Sequence, residues 1–252
     1  MTSPGADPAP GPRPGPGPER TPRPGPAPAR PLAVAAAAAA LFAAAATVMA
    51  VRDGAPLAPE LAALHWSTAH RGEPLRSLAR ALTATGTGVV PYLMAVLAGL
   101  LAGRTWRGRR RAVTWAVVVL AAGQAIRYGL MELLARPRPP VADWAAGATG
   151  YSFPSGHSTT SVLAAGILAW GVLHHTRTRT RPRAGRLWCA LLALWAAGVG
   201  LTRVYLGVHW AGDVLAGWLL ATALLAAALL LEPLVRARTG PGAPEAPPSA
   251  CP

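Results

Sequence analysis

Long stretches without a single charged residue run through this chain, and they decide what it can fold into. A bilayer core is crossed by about 20 predominantly apolar residues in helical form, because a helix satisfies its own backbone there. Six apolar segments are weighed against that length. They run from about Leu32 to Val51, Gly88 to Ala102, Ala112 to Ala135, Ser155 to Leu173, Leu187 to Leu201 and Trp210 to Leu231. The third is interrupted by Gln124, Arg127 and Glu132, and the sixth carries Asp213 near its start. Only 13% of the 252 residues are charged, against about 25% in soluble domains. The net charge is +14, and all 24 basic residues are arginine. A nucleic-acid-binding surface could be this basic but would not tolerate the charge-free stretches, so no nucleic acid partner is expected. Cys189 and Cys251 alone form neither a disulfide framework nor a zinc site. The expected fold class is all-α: an integral membrane bundle of six transmembrane helices.

Composition shifts mark the ends of that bundle. Residues 1–31 hold 12 prolines and 5 glycines, which stop helix and sheet from propagating. They are expected to be a disordered cytoplasmic tail, and residues 236–252 a shorter disordered tail. Residues 32–235 are left as one membrane domain. The first apolar segment exceeds the 7–15-residue core of a secretory signal and is taken as a true span.

The arginines set an orientation. Arg104, Arg107, Arg109, Arg110 and Arg111 fall in the second connection, and Arg177, Arg179, Arg181, Arg183 and Arg186 in the fourth. Short arginine-rich loops stay in the cytoplasm, so these clusters read as topology signals, not binding sites. Both termini then face the cytoplasm, and residues 52–87, 136–154 and 203–209 lie outside. In the first of these, Leu75, Leu78, Ala79 and Leu82 recur at helical spacing opposite Arg76 and Arg80, as in a short interfacial helix between spans 1 and 2. The chemically interesting residues fall on this outer side.

Three groups of residues could do chemistry there. In Pro154-Ser155-Gly156-His157, proline and serine ahead of an apolar run start a helix, and glycine lets a ligand approach the backbone. The free N–H groups of that first turn make an anion site, with His157 beside it; a capped helix whose histidine faces headgroups is the plainer alternative. His209 and Asp213 are one helical turn apart, so the carboxylate can hold one ring nitrogen and leave the other free as base or nucleophile. A purely structural His–Asp pair is the alternative. Arg136-Pro137-Arg138-Pro139 is weak by composition, since Arg-Pro occurs six times in the chain; its position just outside a span gives it meaning. Together, Arg138 and Arg203 can clamp phosphoryl oxygens, Ser155 and Gly156 can add backbone donors, His209 can attack phosphorus and His157 can protonate the leaving oxygen. No cluster with metal-ligand spacing occurs, and no metal or cofactor is expected.

The strings Arg-Pro-Arg-Pro, Tyr151-Ser152-Phe153-Pro-Ser-Gly-His and Thr202-Arg203-Val204-Tyr205-Leu206-Gly207-Val208-His209-Trp210-Ala211-Gly212-Asp213 resemble the three signature motifs of the type 2 phosphatidic acid phosphatase and haloperoxidase superfamily. Order, spacing and span count resemble its membrane-bound lipid phosphatases over about residues 32–232. The resemblance implies phosphate-binding roles for Arg138, Ser155, Gly156 and Arg203. It implies a phosphohistidine-forming nucleophile at His209, a general acid at His157 that later activates water, and an orienting carboxylate at Asp213. It also implies metal-independent action on lipid phosphates at the outer leaflet. Two positions depart from the motifs. Thr202 stands for a serine, and Met131 stands where the family has a lysine. Arg127, one turn earlier on the same face, is the candidate replacement; snorkelling or bonding to a neighbouring carbonyl is the alternative.

The function expected is a phosphatase of the cell membrane with a lipid phosphate substrate: undecaprenyl diphosphate, phosphatidylglycerol phosphate or phosphatidic acid. A lipid-linked phosphotransferase is a close variant. A transporter or catalytically silent scaffold on the same fold is the alternative from another class.

Overall fold

The computed structural model describes residues 29–177 and 182–239, so the expectation of a disordered tail over residues 1–28 and 240–252 lies outside the described residues. The described chain is helical: α1 (Ala29–Val51), α2 (Ala58–Ala69), α3 (Glu73–Ala84), α4 (Val89–Ala102), α5 (Trp106–Leu134), a 3-10 turn (Val141–Asp143), α6 (Gly156–Arg177), α7 (Pro182–Tyr205) and α8 (Ala211–Thr239). Helix α8 runs past the boundary expected at residue 235.

Helix α6 is the hub. It packs on α4, α5, α7 and α8, while α1 lies along α8. The core between α4, α5, α6 and α8 is built from Ala95, Ala98, Ala116, Leu120, Leu163, Ile167 and Ala221. Small residues let helix axes come close where no hydrophobic effect drives them together. At Gly171 of α6, an added Cβ would lie 2.5 Å from the carbonyl oxygen of Ala98, so α4 and α6 touch backbone to backbone. Leu93, Leu97, Val118, Ile126, Leu187, Leu194, Leu201 and Leu215 point outward and are exposed. An apolar surface of that extent suits lipid contact.

Among the described residues, four helices are long and apolar enough to cross a membrane, within Pro31–Val51, Trp106–Leu134, Arg183–Tyr205 and Ala211–Pro233. A fifth results if α3 and α4, bent by 50° at their junction, count as one span. The sequence expects six, and the difference has two physical sources. Helix α4 has 14 residues, about 21 Å at 1.5 Å per residue, and is too short alone. Helix α6 opens with His157, Ser158, Thr159, Thr160 and Ser161, the last four buried against its neighbours. A helix enclosed by others on most sides does not need the apolar surface by which a span is recognised.

The segment expected to hold one interfacial helix forms two, α2 and α3. Helix α3 buries Ala79 and Thr83 and leaves Leu75 and Leu78 outward. It packs on α7, with Leu82 close to Gly198.

Candidate active site

The site forms where the turn after α5, the start of α6 and the α7–α8 turn meet. Helix α5 is capped by Ala135, whose left-handed φ of +46° turns the chain sharply. That turn sends Arg136 into the interior and leads into Pro-Arg-Pro. The carbonyls of this segment are tied down: Ser152 donates to Arg136 and Pro137, Trp210 Nε1 to Pro137, and Trp144 Nε1 to Pro139.

His209 is 3% exposed in the α7–α8 turn. Its Nδ1 lies 3.3 Å from Asp213 Oδ2 and its Nε2 lies 3.0 Å from Arg138 Nη1. A guanidinium only donates, so Nε2 is the acceptor and the ring proton sits on Nδ1, facing the carboxylate. The unprotonated nitrogen is thereby Nε2, its lone pair engaged by Arg138. Asp213 is fully buried. Its Oδ2 also accepts from the N–H of Trp210 at 2.9 Å, the reciprocal half of a helix N-cap. Its Oδ1 accepts from Arg136 Nη1 at 2.6 Å.

The remaining expected residues divide into those facing a cavity and one that does not. A cavity of about 840 Å³ is lined by Arg127, Arg138, Gly156, His157, Arg203 and His209, together with Gln124, Tyr128 and Thr87. Thus both histidines and three guanidinium groups share one space. A second, more open cavity of about 630 Å³ reaches His157 and Arg203 from the side of Arg80, Thr83 and Trp144. Ser155 does not line either; it is fully buried, donates its N–H to the carbonyl of Asp213 and caps α6 through Ser158. The N–H groups of Gly156 and His157 follow it at the start of α6, where a helix has no internal acceptors to offer.

The arginines differ in how far they are committed. Arg138 gives its donors to the carbonyls of Thr149, Gly150, Tyr151 and Val208 and to His209. Arg203 donates Nη1 to Thr83 Oγ1 at 3.1 Å, and its buried Nε has no partner. Arg127 donates Nε to the carbonyl of Pro154 at 3.0 Å and lies flat over Gly156, where a Cβ would meet its Cζ at 2.8 Å. Met131, at the position of the family lysine, is buried with its terminal methyl against Gly150. Among the described residues no three His, Cys, Asp or Glu side chains converge; the charge facing the cavity is that of arginine.

Burial pushes His209 down to about 4; the hydrogen bond and charge of Asp213 oppose this, and the charges of Arg138 and Arg203 add to it. Burial lowers Arg138 to about 10, which leaves it cationic at neutral pH. Burial also works against the charge of Arg136, but hydrogen bonding to Glu60 and the charges of Asp213 and Glu60 outweigh it and raise its pKa.

Two residues escaped the sequence reading. Glu60 of α2 is 5% exposed and holds Arg136 through Oε2 at 2.7 Å and Oε1 at 3.1 Å. Arg136, read only as half of a motif, is the ion that joins Glu60 to Asp213. An isolated acid inside the apolar run Leu57–Leu64 was the available signal.

The fold and site define a helical membrane domain with an arginine-walled cavity that two histidines face. Residues 112–236 match the model of the PAP2 superfamily, and the chain belongs to that superfamily. Phosphatidylglycerophosphatase B of Bacillus subtilis is 28% identical over 130 residues, 51% of this chain and 60% of the relative. Undecaprenyl-diphosphatase of Sulfolobus acidocaldarius is 32% identical over 114 residues, 41% of this chain and 45% of the relative. Phosphatidylglycerophosphatase B of Escherichia coli is 39% identical over 71 residues, 28% and 25% of the two. The chain therefore spans less than two thirds of these relatives' lengths. The crystal structure of a transmembrane PAP2-type phosphatidylglycerolphosphate phosphatase from Bacillus subtilis has the same fold, with a TM-score of 0.66 at 22% identity, covering 81% of this chain and 96% of that one.

If the neutral ring of His209 is the reacting form, its acid limb follows the depressed value. Protonation sets in only near pH 4 instead of near 6.5. The free-enzyme limb of kcat/KM, after allowance for ionisation of the substrate phosphate, is expected to lie below pH 5. A limb centred at 6.5 would show that His209 is not held neutral by its surroundings.

Proposed function

We propose that this multi-pass membrane protein is a metal-independent lipid phosphatase that works through a phosphohistidine at His209. The observation that carries the reading is the pairing of His209 with Asp213 and Arg138, which fixes the tautomer and leaves Nε2 unprotonated, its lone pair held by a displaceable guanidinium N–H at a cavity walled by arginines. Phosphoryl transfer needs in-line positioning and charge neutralisation, and arginines supply both.

The steps follow from the atoms present. The terminal phosphoryl group binds between Arg127, Arg203 and the first N–H groups of α6. It displaces the Arg138 N–H from His209 Nε2, and that N–H then bonds a phosphoryl oxygen. Nε2 forms a bond to phosphorus as the bond to the leaving oxygen breaks, and His157 gives that oxygen its proton. Asp213 stabilises the positive charge that develops on the His209 ring. Water then attacks phosphorus, His157 takes its proton, and the N–P bond breaks to release inorganic phosphate and restore the ring.

The named relatives support a substrate among phosphatidylglycerol phosphate and undecaprenyl diphosphate. Phosphatidic acid belongs to the same chemical class, and transfer to an alcohol acceptor in place of water is the close variant. Arg104 between α4 and α5, with Arg107, Arg109, Arg110 and Arg111 in the first turns of α5, supports a cytoplasmic position for that end. Cytoplasmic termini, helices α2 and α3 at the outer surface, and a site open to the outside follow from it. Arg127 replaces the missing lysine in this reading: it reaches the cavity from one turn earlier, and Gly156 leaves room for its plane.

Three outcomes are expected. Purified protein in detergent with EDTA should release phosphate from at least one of these lipids, and His209→Ala and His157→Ala should each abolish turnover while expression is retained. No turnover of any lipid phosphate by a folded sample would favour a silent scaffold. Arg127→Ala should raise KM or lower kcat by on the order of tenfold or more, and Met131→Lys in that background should restore part of the loss; unchanged kinetics would leave Arg127 structural. In a variant with Cys189 and Cys251 replaced by serine, a cysteine at Val141 should react with an impermeant reagent on whole cells and one at Arg107 should not. The reverse pattern would invert the orientation.

A further inference from the structure

We propose that Glu60, on a helix outside the segment that matches the superfamily, is a positioning residue for the nucleophile: by neutralising Arg136 it leaves the Asp213 carboxylate its charge for His209. The inference rests on the reading of His209 as nucleophile and extends it to a residue that five helices separate from it along the chain.

The arrangement is a row of alternating charges. Glu60 meets Arg136, Arg136 meets Asp213 and Asp213 meets His209, at 2.7, 2.6 and 3.3 Å. Glu60, Arg136 and Asp213 are all at most 5% exposed, so water does not screen them and the formal count matters. Two carboxylates and one guanidinium leave the row with one net negative charge. Without Glu60, Arg136 would cancel Asp213, and the developing charge on His209 would face a neutral pair.

Glu60 is also fixed in place more firmly than a chance ion-pair partner. Its Oε2 accepts from the N–H of Leu57 at 2.8 Å and its Oε1 from the N–H of Gly212 at 2.9 Å. Gly212 lies in the first turn of α8, beside Asp213, and an added Cβ there would meet Glu60 Oε1 at 2.6 Å. Arg136 is fixed as well, through Nε to the carbonyl of Gly54 at 3.1 Å and through its approach to the Trp210 ring. Helix α2 thus touches the turn that carries His209 through one carboxylate. The other charged or titratable groups around His209 are Arg127, Arg138, Arg203 and His157; none of them bonds to Glu60.

The test is kinetic, with purified full-length protein and whichever lipid phosphate the wild type hydrolyses. Glu60→Gln is expected to lower kcat by on the order of tenfold or more, with KM within about twofold, since the row acts through His209 and does not touch substrate. Glu60→Asp should keep more activity than Glu60→Gln. The double variant Glu60→Gln with Arg136→Gln should turn over faster than Glu60→Gln alone, because Asp213 then faces no uncompensated cation. A kcat for Glu60→Gln within twofold of wild type would overturn the proposal. So would a loss that the double variant deepens in step with its thermal midpoint, since that is the mark of a fold clamp. Failure of the nucleophile reading is a separate result: it appears as turnover by His209→Ala, whatever Glu60 does.

Discussion

The ion pair network around Arg136 is the constraint on which the site depends. A guanidinium taken out of water costs several kcal/mol unless its hydrogen bonds and charge are both met. Arg136 meets them with two carboxylates and one carbonyl. Both carboxylates sit in the first turns of helices, Glu60 in α2 and Asp213 in α8, and each reaches back to an N–H at its own helix start. A helix N-terminus favours a negative charge, so each acid is stabilised before Arg136 arrives. The pairing therefore locks the entry of the chain into two helices onto one cation, and Asp213 and His209 take their places from that lock.

The cavity itself is built the opposite way. Arg127, Arg138 and Arg203 converge on it without an acid among them. Their mutual repulsion is tolerated because backbone carbonyls answer most of Arg138 and one answers Arg127. Arg203 keeps a buried Nε with no partner. Donors fixed by carbonyls and left with an unmet charge need not reorganise when an anion enters, which is the condition under which electrostatic stabilisation of a phosphoryl transfer state is strongest. Asp213 and, behind it, Glu60 lie on the Nδ1 side of His209, away from the cavity.

Local patterns were legible in the sequence, and pairings across long separations were not. His209 and Asp213 are four residues apart, so helical geometry alone placed them together, as it placed His157 at the start of α6. The class of fold followed from uncharged stretches. The span count was harder, because α6 opens with polar residues that its neighbours enclose, and because α3 and α4 bend at Thr85–Gly88 into one broken element. Glu60 and Arg136 are separated by 76 positions, and no periodicity links a carboxylate in one helix to a cation in a loop. Arg138 was foreseen as a clamp, yet its ties to Thr149, Gly150 and Tyr151 depend on how residues 139–151 fold back, which motif spacing does not encode.

The same long-range geometry bears on the missing lysine. A lysine at position 131 would bring a compact, strongly hydrated charge on a flexible stem; here that position holds an apolar side chain packed against Gly150. The positive charge at the cavity comes from one turn earlier, where residues four apart share a helical face. An arginine there has both the reach and a plane that can be fixed. The carbonyl of Pro154 orients its Nε, and Gly156 lets the guanidinium lie against the backbone of α6. The glycine of the Ser-Gly-His motif thus has a use that the motif alone does not show: besides leaving the helix start open to the cavity, it seats the guanidinium of Arg127. A methyl group at 156 would disturb both at once, which couples the start of α6 to α5 more tightly than a lysine at 131 would require.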